Sequence, residues 1–546
     1  RGMAVSAIAL SVAGIASAQV TTSSIRGQVS DADGAAVADA TVVITHVPSG
    51  TVSAAVSGSN GTFSARGLRV GGPYTVEVTG ADFTPVTVTD IYIALDQTYP
   101  LNLTVSGART LDTVVVTGSQ LQSGFSSQGL TTSLGLEALN EVVTIDRDIT
   151  DAAELDPFAS VNVQSGGAKE LTIAGANNRF NSLTIDGVAL NDRFGLNANG
   201  YPTQRSPISF DAIQSLSVET APFDTEYNGF TGGTINAVTK SGTNEFHGSA
   251  FYFKTDDSMA GSKIGDRKVD RSFEEKTYGG TFGGPIIKDK LFFFVSYDKY
   301  EEAAALNRGP TGSGAVNIED VTPEDIAEIS DIMSTVYGFD TGDFAGGVPP
   351  VEDEKILGSI DWNITNDHRA KFTYIKTEGA SINEQNGNNF LQGADLAYPS
   401  SWYNNSEKVE SYIGHLYSDW TANFSTEVKI AKTTQATGQD SLNGAEFFLG
   451  SVETSTGTVI AFGPDRFRHG NELDQEFMQY KLKAEYLLGD HTASPTPTIL
   501  KAWMSSCRAS RSNGMLVMTS PFAAVSAGSP VDRQACGCPT AIPMMV

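Results

Sequence analysis

Apolar and polar residues alternate along much of this chain with the period of two that is typical of β-strands. Near the N-terminus three short runs rich in β-branched residues, at positions 40–45, 74–78 and 85–89, are separated by turn dipeptides such as Asn60-Gly61. Turn signals recur roughly every ten residues between these runs, which is the spacing of a small antiparallel sandwich. We therefore expect one β-sandwich over residues 22–106.

Longer alternating runs follow in residues 243–491. One places Ile356, Gly358, Ile360, Trp362 and Ile364 between Ser359, Asp361, Asn363 and Thr365, and similar runs cover residues 369–377, 424–433 and 478–486. Strands that cross an outer membrane need about 9–11 residues with apolar side chains outward and polar ones inward. A soluble sandwich would alternate too, but the length of these runs and the charged loops between them favour part of a membrane barrel of roughly ten strands. The aromatic stretch 289–300 suits a membrane interface.

One long loop, residues 308–352, contains a helix signal. Thr322 is placed to cap the helix and Pro323 to begin it, followed by the acidic Glu324 and Asp325, and Gly338 is placed to end it. The apolar positions at helical spacing are Ile326, Ile329, Met333 and Val336. An acidic loop of this size suits the external face of a membrane protein.

Composition narrows the possible functions. The net charge of -27 and the absence of any basic cluster argue against a nucleic-acid partner. The histidines show no spacing typical of a zinc site, no nucleophile elbow or phosphate loop occurs, and Asp31 and Asp33 are interpreted as turn formers. We expect no catalytic residues, no metal and no cofactor, so the protein is not predicted to be an enzyme. The histidines are His46, His247, His368, His415, His469 and His491.

The two ends differ from the rest of the chain. Residues 1–18 combine an arginine, an apolar run and Ala16-Ser17-Ala18, which predicts a secretory signal peptide. No later segment is apolar for long enough to form a membrane helix, so an exported membrane form would have to cross with strands. Residues 492–546 hold all three cysteines and lose the alternation, and we interpret them as an aberrant tail, read out of frame or truncated. Cys536-Gly537-Cys538 is too weak a pattern for a metal site.

Two stretches carry family resemblances. The phrase "GQVSDADGAAVADATVVI" with "SGSNGTFSARGLRVGGPYTVEVTGADF" resembles the carboxypeptidase regulatory-like domain, a non-catalytic, transthyretin-like β-sandwich. The phrases "LTIAGANNRFNSLTIDGVALNDRFG" and "YNGFTGGTINAVTKSGTN" resemble the plug domain of TonB-dependent outer-membrane receptors, most of all the Oar-like subgroup. The plug is expected over residues 125–242. Its motif positions are Ile185, Asp186, Gly187, Tyr227, Gly232, Gly233, Asn236, Thr239 and Lys240.

The linker between sandwich and plug, residues 107–124, contains "DTVVVTG". Asp112, Thr113, Val114, Val115, Val116, Thr117 and Gly118 resemble a TonB box, the segment that an energy-coupling protein captures by adding it as a strand to its own sheet. The competing interpretation is that Val114 to Val116 form a terminal strand of the sandwich or the plug.

The resemblances imply an all-β chain with a sandwich, a mixed α/β plug and the N-terminal part of a transmembrane antiparallel β-barrel. They also imply an outer-membrane location with a periplasmic N-terminal domain, contact with outer-membrane lipid, and uptake of a substrate driven through the TonB complex. An oligosaccharide or a peptide is the expected kind of substrate, so carbohydrate binding is part of this hypothesis. The alternative is a structural or adhesion protein of the outer membrane without active transport.

Overall fold

The computed structural model describes most of the chain. It covers residues 20–95, 97–107, 114–117, 125–128, 130–144, 146–163, 169–220, 230–261, 263–264, 267–268, 272–313, 315, 317–344, 351–384, 394–421, 423–443, 447–464, 469–488, 491–493 and 498–508. The predicted signal peptide and the three-residue motif at positions 536–538 lie outside these ranges. No helix among the described residues is both long and apolar enough to cross a membrane.

The N-terminal region forms the predicted sandwich of two sheets. Its strands are β1 (Ser23–Asp31), β2 (Thr41–His46), β3 (Thr51–Val56), β4 (Thr62–Leu68), β5 (Gly71–Thr79), β6 (Val86–Ile93), β7 (Thr98–Pro100) and β8 (Leu103–Val105). One sheet has β1 between β4 and β7, with β8 also pairing β1, and the other has the order β3-β2-β5-β6. Alternate residues such as Val42, Ile44, Val76 and Val78 are fully buried between the sheets.

A short strand, β9 (Val114–Thr117), joins the second sheet at its β6 edge. It runs parallel to β6, with Val86 opposite Val114 and Thr89 opposite Thr117. This is the segment for which two interpretations were open, and in the structure its backbone is a strand of the sandwich. The arrangement agrees with the competing interpretation and does not test whether another protein can capture the same strand.

The central region folds as a mixed α/β unit, as expected for a plug. It contains β10 (Phe125–Gln128), β11 (Thr131–Gly135), α1 (Leu136–Glu141), α2 (Ile149–Ala153), β12 (Ala159–Val163), β13 (Lys169–Ile173), β14 (Ser182–Ile185), β15 (Val188–Ala189), β16 (Ile213–Glu219) and β17 (Thr234–Thr239). Six of these strands form one sheet in the order β10-β11-β16-β17-β14-β15, and β12 pairs with β13. Single 3-10 turns lie at Asn178–Phe180 and Phe210–Ala212.

The remaining elements follow in chain order. They are β18 (His247–Asp256), β19 (Lys263–Ile264), β20 (Arg267–Lys268), β21 (Phe273–Ile287), β22 (Leu291–Ala304), β23 (Arg308–Gly309), β24 (Asn317–Ile318), α3 (Pro323–Tyr337), β25 (Val351–Asn363), β26 (His368–Asn383), β27 (Leu396–Ala397), β28 (Tyr403–Thr421), β29 (Phe424–Ser441), β30 (Gly450–Glu453), β31 (Val459–Phe462), β32 (Asn471–Leu488), β33 (His491–Ala493) and β34 (Thr498–Arg508). Short 3-10 turns lie at Asp257–Met259 and Pro399–Ser401.

Ten of these strands form one antiparallel sheet, which we call the wall. Its order within the described residues is β18-β21-β22-β25-β26-β28-β29-β32-β33, and β34 also pairs with β32. The number of strands agrees with the prediction of roughly ten. The wall continues to Arg508, beyond the boundary expected at residue 491, because β34 pairs with β32 from Thr498 opposite Lys481 to Arg508 opposite Glu472.

The wall is apolar on its outer face and largely polar on the face toward the plug. On β25 the outward Ile360 and Trp362 are exposed, whereas Ser359 and Asp361, which alternate with them, are buried. Exposed aromatic side chains mark two levels of the outer face. Trp362, Trp420 and Tyr486 lie near one end of their strands, and Tyr252, Tyr297 and Tyr412 lie about halfway along theirs. Two aromatic belts flanking an apolar band are typical of membrane-spanning barrels.

The two ends of the wall differ in the length of their connections. At one end the links are short, with residues 288–290 between β21 and β22 and residues 364–367 between β25 and β26. At the other end they are long, with residues 305–350 between β22 and β25 and residues 442–470 between β29 and β32. Outer-membrane barrels have short periplasmic turns and longer external loops, which assigns the short-turn end to the periplasm.

The external loops have an apolar core of their own. Helix α3 begins with a capping box in which Thr322 and Asp325 bond each other's backbone N–H, and it ends at Gly338 with φ 64°. Ile329 and Met333 are buried as predicted, whereas Val336 is exposed. The other buried members of this core include Leu306, Val321, Phe339, Phe344, Leu396, Tyr398, Trp402, Ile460 and Phe462.

Candidate functional site

The turn at Asp186-Gly187, two of the plug motif positions, is where the plug is hydrogen-bonded to the wall. Ile185 and Val188 pair across a two-residue hairpin in which Asp186 has φ 47° and Gly187 φ 68°. Two consecutive positive φ values are the signature of the tight hairpin turns that favour Asp-Gly. The turn therefore presents the Asp186 carboxylate and the carbonyl oxygens of both residues toward the neighbouring strands.

The Asp186 carboxylate collects four donors. Its Oδ1 accepts from the Thr239 N–H at 2.9 Å, and its Oδ2 accepts from the Thr239 hydroxyl at 2.8 Å. From the wall, the Thr373 hydroxyl donates to Oδ2 at 3.0 Å and the Lys371 ammonium lies 3.1 Å from the same atom. Burial alone would raise the pKa of Asp186, but Lys371 and the Thr239 hydrogen bonds outweigh it and hold this pKa below its ordinary value.

The backbone of the same turn is held by two further wall residues. His415 Nε2 donates to the Asp186 carbonyl at 3.1 Å, and the Lys429 ammonium donates to the Gly187 carbonyl. Lys371 also donates to the Thr239 hydroxyl at 2.8 Å. We call this set of contacts the anchor. It joins the Asp186-Gly187 turn and Thr239 of β17 to β26, β28 and β29, through hydrogen bonds and one buried ion pair.

The other plug positions predicted from the sequence have structural roles nearby. A Cβ on Gly232 would collide with the Asn181 side chain, and one on Gly233 would lie 2.5 Å from Ile173 Cγ2, so both glycines permit neighbouring segments to approach closely. Asn236 donates to the Val20 carbonyl at 2.6 Å and accepts from Thr184 at 2.9 Å. The Lys240 N–H donates to the Ala212 carbonyl at 2.8 Å.

Some predicted positions are not described by the structure. Tyr227 lies outside the described residues, as do Asp112, Thr113 and Gly118 of the TonB-box-like segment, of which only the backbone of Val114 to Thr117 is described. No group of three or more metal-ligating side chains is arranged around a common point in the part of the chain that the structure describes. The Asp31 carboxylate accepts the N–H groups of Asp33 and Ala35, as expected of a turn former.

The wall partners of the anchor were missed from the sequence. His415 is one of six histidines without the spacing of a metal site, and Lys371 and Lys429 are single lysines in alternating strands. The sequence indicates only that each of these residues lies at an inward position in the alternation of its strand. This alternation does not show which inward lysine contacts a carboxylate of the plug.

Additional contacts hold the plug toward the external end. Arg205 stacks over Tyr300 with its guanidinium carbon 3.7 Å from the ring centroid, and Ser209 donates to Asp298 at 2.9 Å. Arg193 stacks over Phe477 at 5.1 Å, and near it Phe180, Phe194 and Leu196 are exposed. Phe194 and Leu196 belong to the same segment as Arg193, and Arg179 beside Phe180 donates to the Gly195 carbonyl at 3.2 Å, so these exposed apolar side chains lie on the side of the long loops.

Three family models match consecutive parts of the chain. Residues 24–106 match the carboxypeptidase regulatory-like domain, residues 123–234 the TonB-dependent receptor plug domain, and residues 238–311 an outer membrane beta barrel domain. The chain thus has the domain composition of a TonB-dependent receptor of the outer membrane, with the plug and the N-terminal domain toward the periplasm. The resemblances to the carboxypeptidase regulatory-like domain and to the plug domain are confirmed.

Individual relatives make this likeness more specific. The TonB-dependent transporter Oar of Myxococcus xanthus is 27% identical over 343 residues, which cover 58% of this chain and 30% of that protein. A probable TonB-dependent siderophore receptor, PirA of Acinetobacter baumannii, is 27% identical over 233 residues, covering 40% of this chain and 29% of that protein. The chain therefore spans about 30% of the length of these curated relatives.

Two solved structures align with part of this chain. The siderophore receptor PirA from Acinetobacter baumannii aligns with a TM-score of 0.46 at 16% identity, over 69% of this chain and 48% of that chain. The outer membrane transporter YddB from Escherichia coli aligns with a TM-score of 0.47 at 11% identity, over 69% and 48% of the two chains.

Proposed function

We propose that this receptor takes up a large or scarce solute across the outer membrane, using work supplied by the TonB complex. The observation that carries the proposal is the anchor at Asp186, since polar bonds fasten the plug turn to the wall. A polar contact can open to water without exposing a large apolar surface. Displacing the plug is therefore less costly than it would be through an apolar seam alone.

The TonB complex is proposed to capture residues 112–118. It would bind them by β-augmentation, in which main-chain hydrogen bonds add an extended segment to the edge of another sheet. Three consecutive valines favour an extended backbone, and in this structure Val114–Thr117 is already a strand. No bond of the solute is made or broken in this mechanism.

The solute is proposed to contact the external loops and the exposed apolar surface of the plug at Phe180, Phe194 and Leu196. Aromatic and aliphatic side chains beside Arg179 and Arg193 suit a solute with both apolar and polar groups, such as a peptide or an oligosaccharide. A ferric siderophore is the third class to test, because PirA is named as a probable siderophore receptor.

The TonB step is tested with a backbone substitution. Val115→Pro removes a main-chain donor in the middle of the segment, whereas Val115→Thr keeps the β-branched shape and the donor. The purified TonB C-terminal domain should bind the Thr variant and fail to bind the Pro variant. Equal capture of both variants would overturn the assignment of this segment.

Transport itself is tested by deleting residues 112–118. Cells that depend on a peptide, an oligosaccharide or a ferric siderophore should lose growth on the transported solute, while binding of that solute at the cell surface remains. Unchanged growth in the deletion strain would instead support the alternative, a structural or adhesion protein whose folded external loops, built on the core around Trp402, are its working surface.

A further inference from the structure

The loop between β4 and β5 of the sandwich reaches the periplasmic end of the wall. Arg69 Nη1 lies 2.7 Å from Asp361 Oδ1, with the two side chains only 9% and 1% exposed. Arg69 also donates to Asn363 at 3.3 Å and to Thr51 at 3.3 Å. Asp361 and Asn363 are inward positions of β25, so a sandwich residue supplies the counterion of a buried wall carboxylate.

A second arginine makes the reciprocal contact from the wall. Arg369 donates to the Gly67 carbonyl at 3.1 Å and stacks over Tyr417 with its guanidinium carbon 4.5 Å from the ring centroid. Gly67, near the end of β4, has φ 63°, a conformation that glycine adopts without strain, and this turns its carbonyl toward the wall. The Tyr417 hydroxyl is 2.7 Å from the hydroxyl of Thr21, at the start of the sandwich.

The contact extends over both the wall and the plug. At one side the Asn244 N–H, just before β18, donates to the Pro48 carbonyl at 2.7 Å. In the middle, Val70 and Leu95 of the sandwich pack with Val238 of plug strand β17. The sandwich therefore lies across the periplasmic face of the plug, and the short turns of the wall support it.

We propose that the sandwich is a docked gate over the periplasmic end of the lumen, held by the Arg69–Asp361 pair, and that it must leave the wall before a solute can pass. Strand β9 pairs with β6 of the same sandwich, so a pull on residues 114–117 acts on the sandwich through that ladder. This coupling step rests on the proposed TonB function. The docking itself does not depend on that function.

The gate is tested by the reactivity of a cysteine beneath it. Asn363→Cys is introduced into the full-length receptor after Cys507, Cys536 and Cys538 have been changed to Ser, because Asn363 is 7% exposed and contacts Arg69. Cells are treated with fluorescein maleimide, which reaches the periplasm through porins. Labelling should be slow, and Arg69→Ala should accelerate it at least about tenfold, since removing one partner of a buried ion pair strongly weakens the contact.

Matched variants separate docking from misfolding. Arg26→Ala removes an exposed arginine of β1 in the same sandwich and should leave the labelling rate unchanged. The exchange Arg69→Asp with Asp361→Arg restores opposite charges and should slow the labelling again. Asp82→Cys, at an exposed position of the sandwich, should label rapidly in every background. Equal labelling of Asn363→Cys with and without Arg69, or no recovery in the exchange, overturns the gate.

A strain without TonB distinguishes the two proposals. If the gate opens under TonB force, Asn363→Cys labels faster in energised cells with TonB than in cells without it. Protection that depends on Arg69 but not on TonB would retain the docked sandwich and overturn the coupling step. The transport proposal would then have to stand on the growth assay alone.

Discussion

The sandwich and the wall use the same alternation of residues with opposite results. In the sandwich, the apolar residues Val42 and Ile44 are fully buried, whereas Thr41, Val43 and Thr45, which alternate with them, are exposed or half-buried on the opposite face. In the wall, the apolar Ile360 and Trp362 are exposed and the polar Ser359 and Asp361 are buried. A period of two tells which residues share a face, but the material against each face decides which side is apolar.

The buried faces of the two regions also contact different kinds of partner. The sandwich fills its interior with its own apolar side chains. The wall needs another part of the chain, because its inward Lys371 and Thr373 find their partner in Asp186 of the plug, and its Asp361 finds Arg69 of the sandwich. The predictions below test this difference, beginning with the largest expected effect.

Removing the Asp186 carboxylate should weaken the packing of plug against wall by about as much free energy as truncating a core residue costs the sandwich. Asp186→Ala leaves Lys371 buried without its counterion, at an expected cost of about 3–5 kcal/mol. Ile44→Ala in the sandwich should cost about 2–5 kcal/mol through a cavity. Chemical denaturation in detergent, with proteolysis reporting on the plug, measures both. Asp82→Ala is the control, and an effect of Asp186→Ala no larger than that control would contradict the anchor.

Replacing an exposed apolar residue with lysine should reduce folding stability strongly in the wall and only slightly in the sandwich. Leu416 on β28 is 39% exposed and lies between Trp420 and Tyr412, near the middle of the apolar band. Val56 at the end of β3 is 48% exposed. Leu416→Lys should cost about 2–4 kcal/mol in lipid, and Val56→Lys no more than about 0.5 kcal/mol. Urea titration of folding into liposomes measures both, and equal costs would mean that lipid does not contact this face.

The sandwich should lose stability below neutral pH through His46. Burial, reinforced by the positive charges of Arg69 and Arg369, lowers the pKa of His46 to about 3, while Asp361 acts in the opposite direction. The folded sandwich therefore keeps His46 neutral, whereas the unfolded chain takes up a proton below about pH 6.5. Stability is fully present above that pH and falls by at most about 1.4 kcal/mol per pH unit below it.

His46→Gln should remove this slope between pH 6.5 and 5. Thermal unfolding of the sandwich region, followed in the intact protein by hydrogen exchange, measures it. The same slope in the substituted protein would mean that other groups are responsible. The wall strands should show no comparable change that depends on His46.

The smallest effect is expected outside both regions. Thr322→Ala removes the side chain that caps α3, at a cost of about 1 kcal/mol. Because the helix packs within the external core, proteolysis of the loop should increase while the sandwich and the wall remain unchanged. Thr335→Ala, at an exposed position late in the same helix, is the matched control. Equal sensitivity of the two variants would contradict the capping role.

Much of this architecture was predictable from local patterns. The strands of the sandwich, the alternation on β25, β26, β29 and β32, and helix α3 with its boundaries at Thr322 and Gly338 follow from periodicity and capping residues. The turn at Asp186-Gly187 was predictable because an Asp-Gly dipeptide readily adopts the two consecutive positive φ values of a tight hairpin turn. The exposure of Val336 was not, because helical spacing shows which residues share a face and leaves open how wide a face the neighbouring loops cover.

The long-range contacts were beyond the reach of such patterns. Arg69 and Asp361 are far apart in the chain, and nothing local marks either as a partner of the other. The same holds for His415 and Lys429, which contact the backbone of Asp186 and Gly187 only because the wall packs against the plug. For β9, the sequence showed an extended segment, and only the structure placed it beside β6.

The sequence by itself determined the local conformations: which stretches are strands, where the turns and the external helix begin and end, and which residues alternate. These depend on backbone preferences and on neighbours within a few positions. The tertiary structure decided which face of each strand is buried, which carboxylate meets which cation, and that the sandwich lies across the periplasmic side of the plug. Such contacts depend on the whole chain being folded, because their strength comes from burial that no short segment achieves alone.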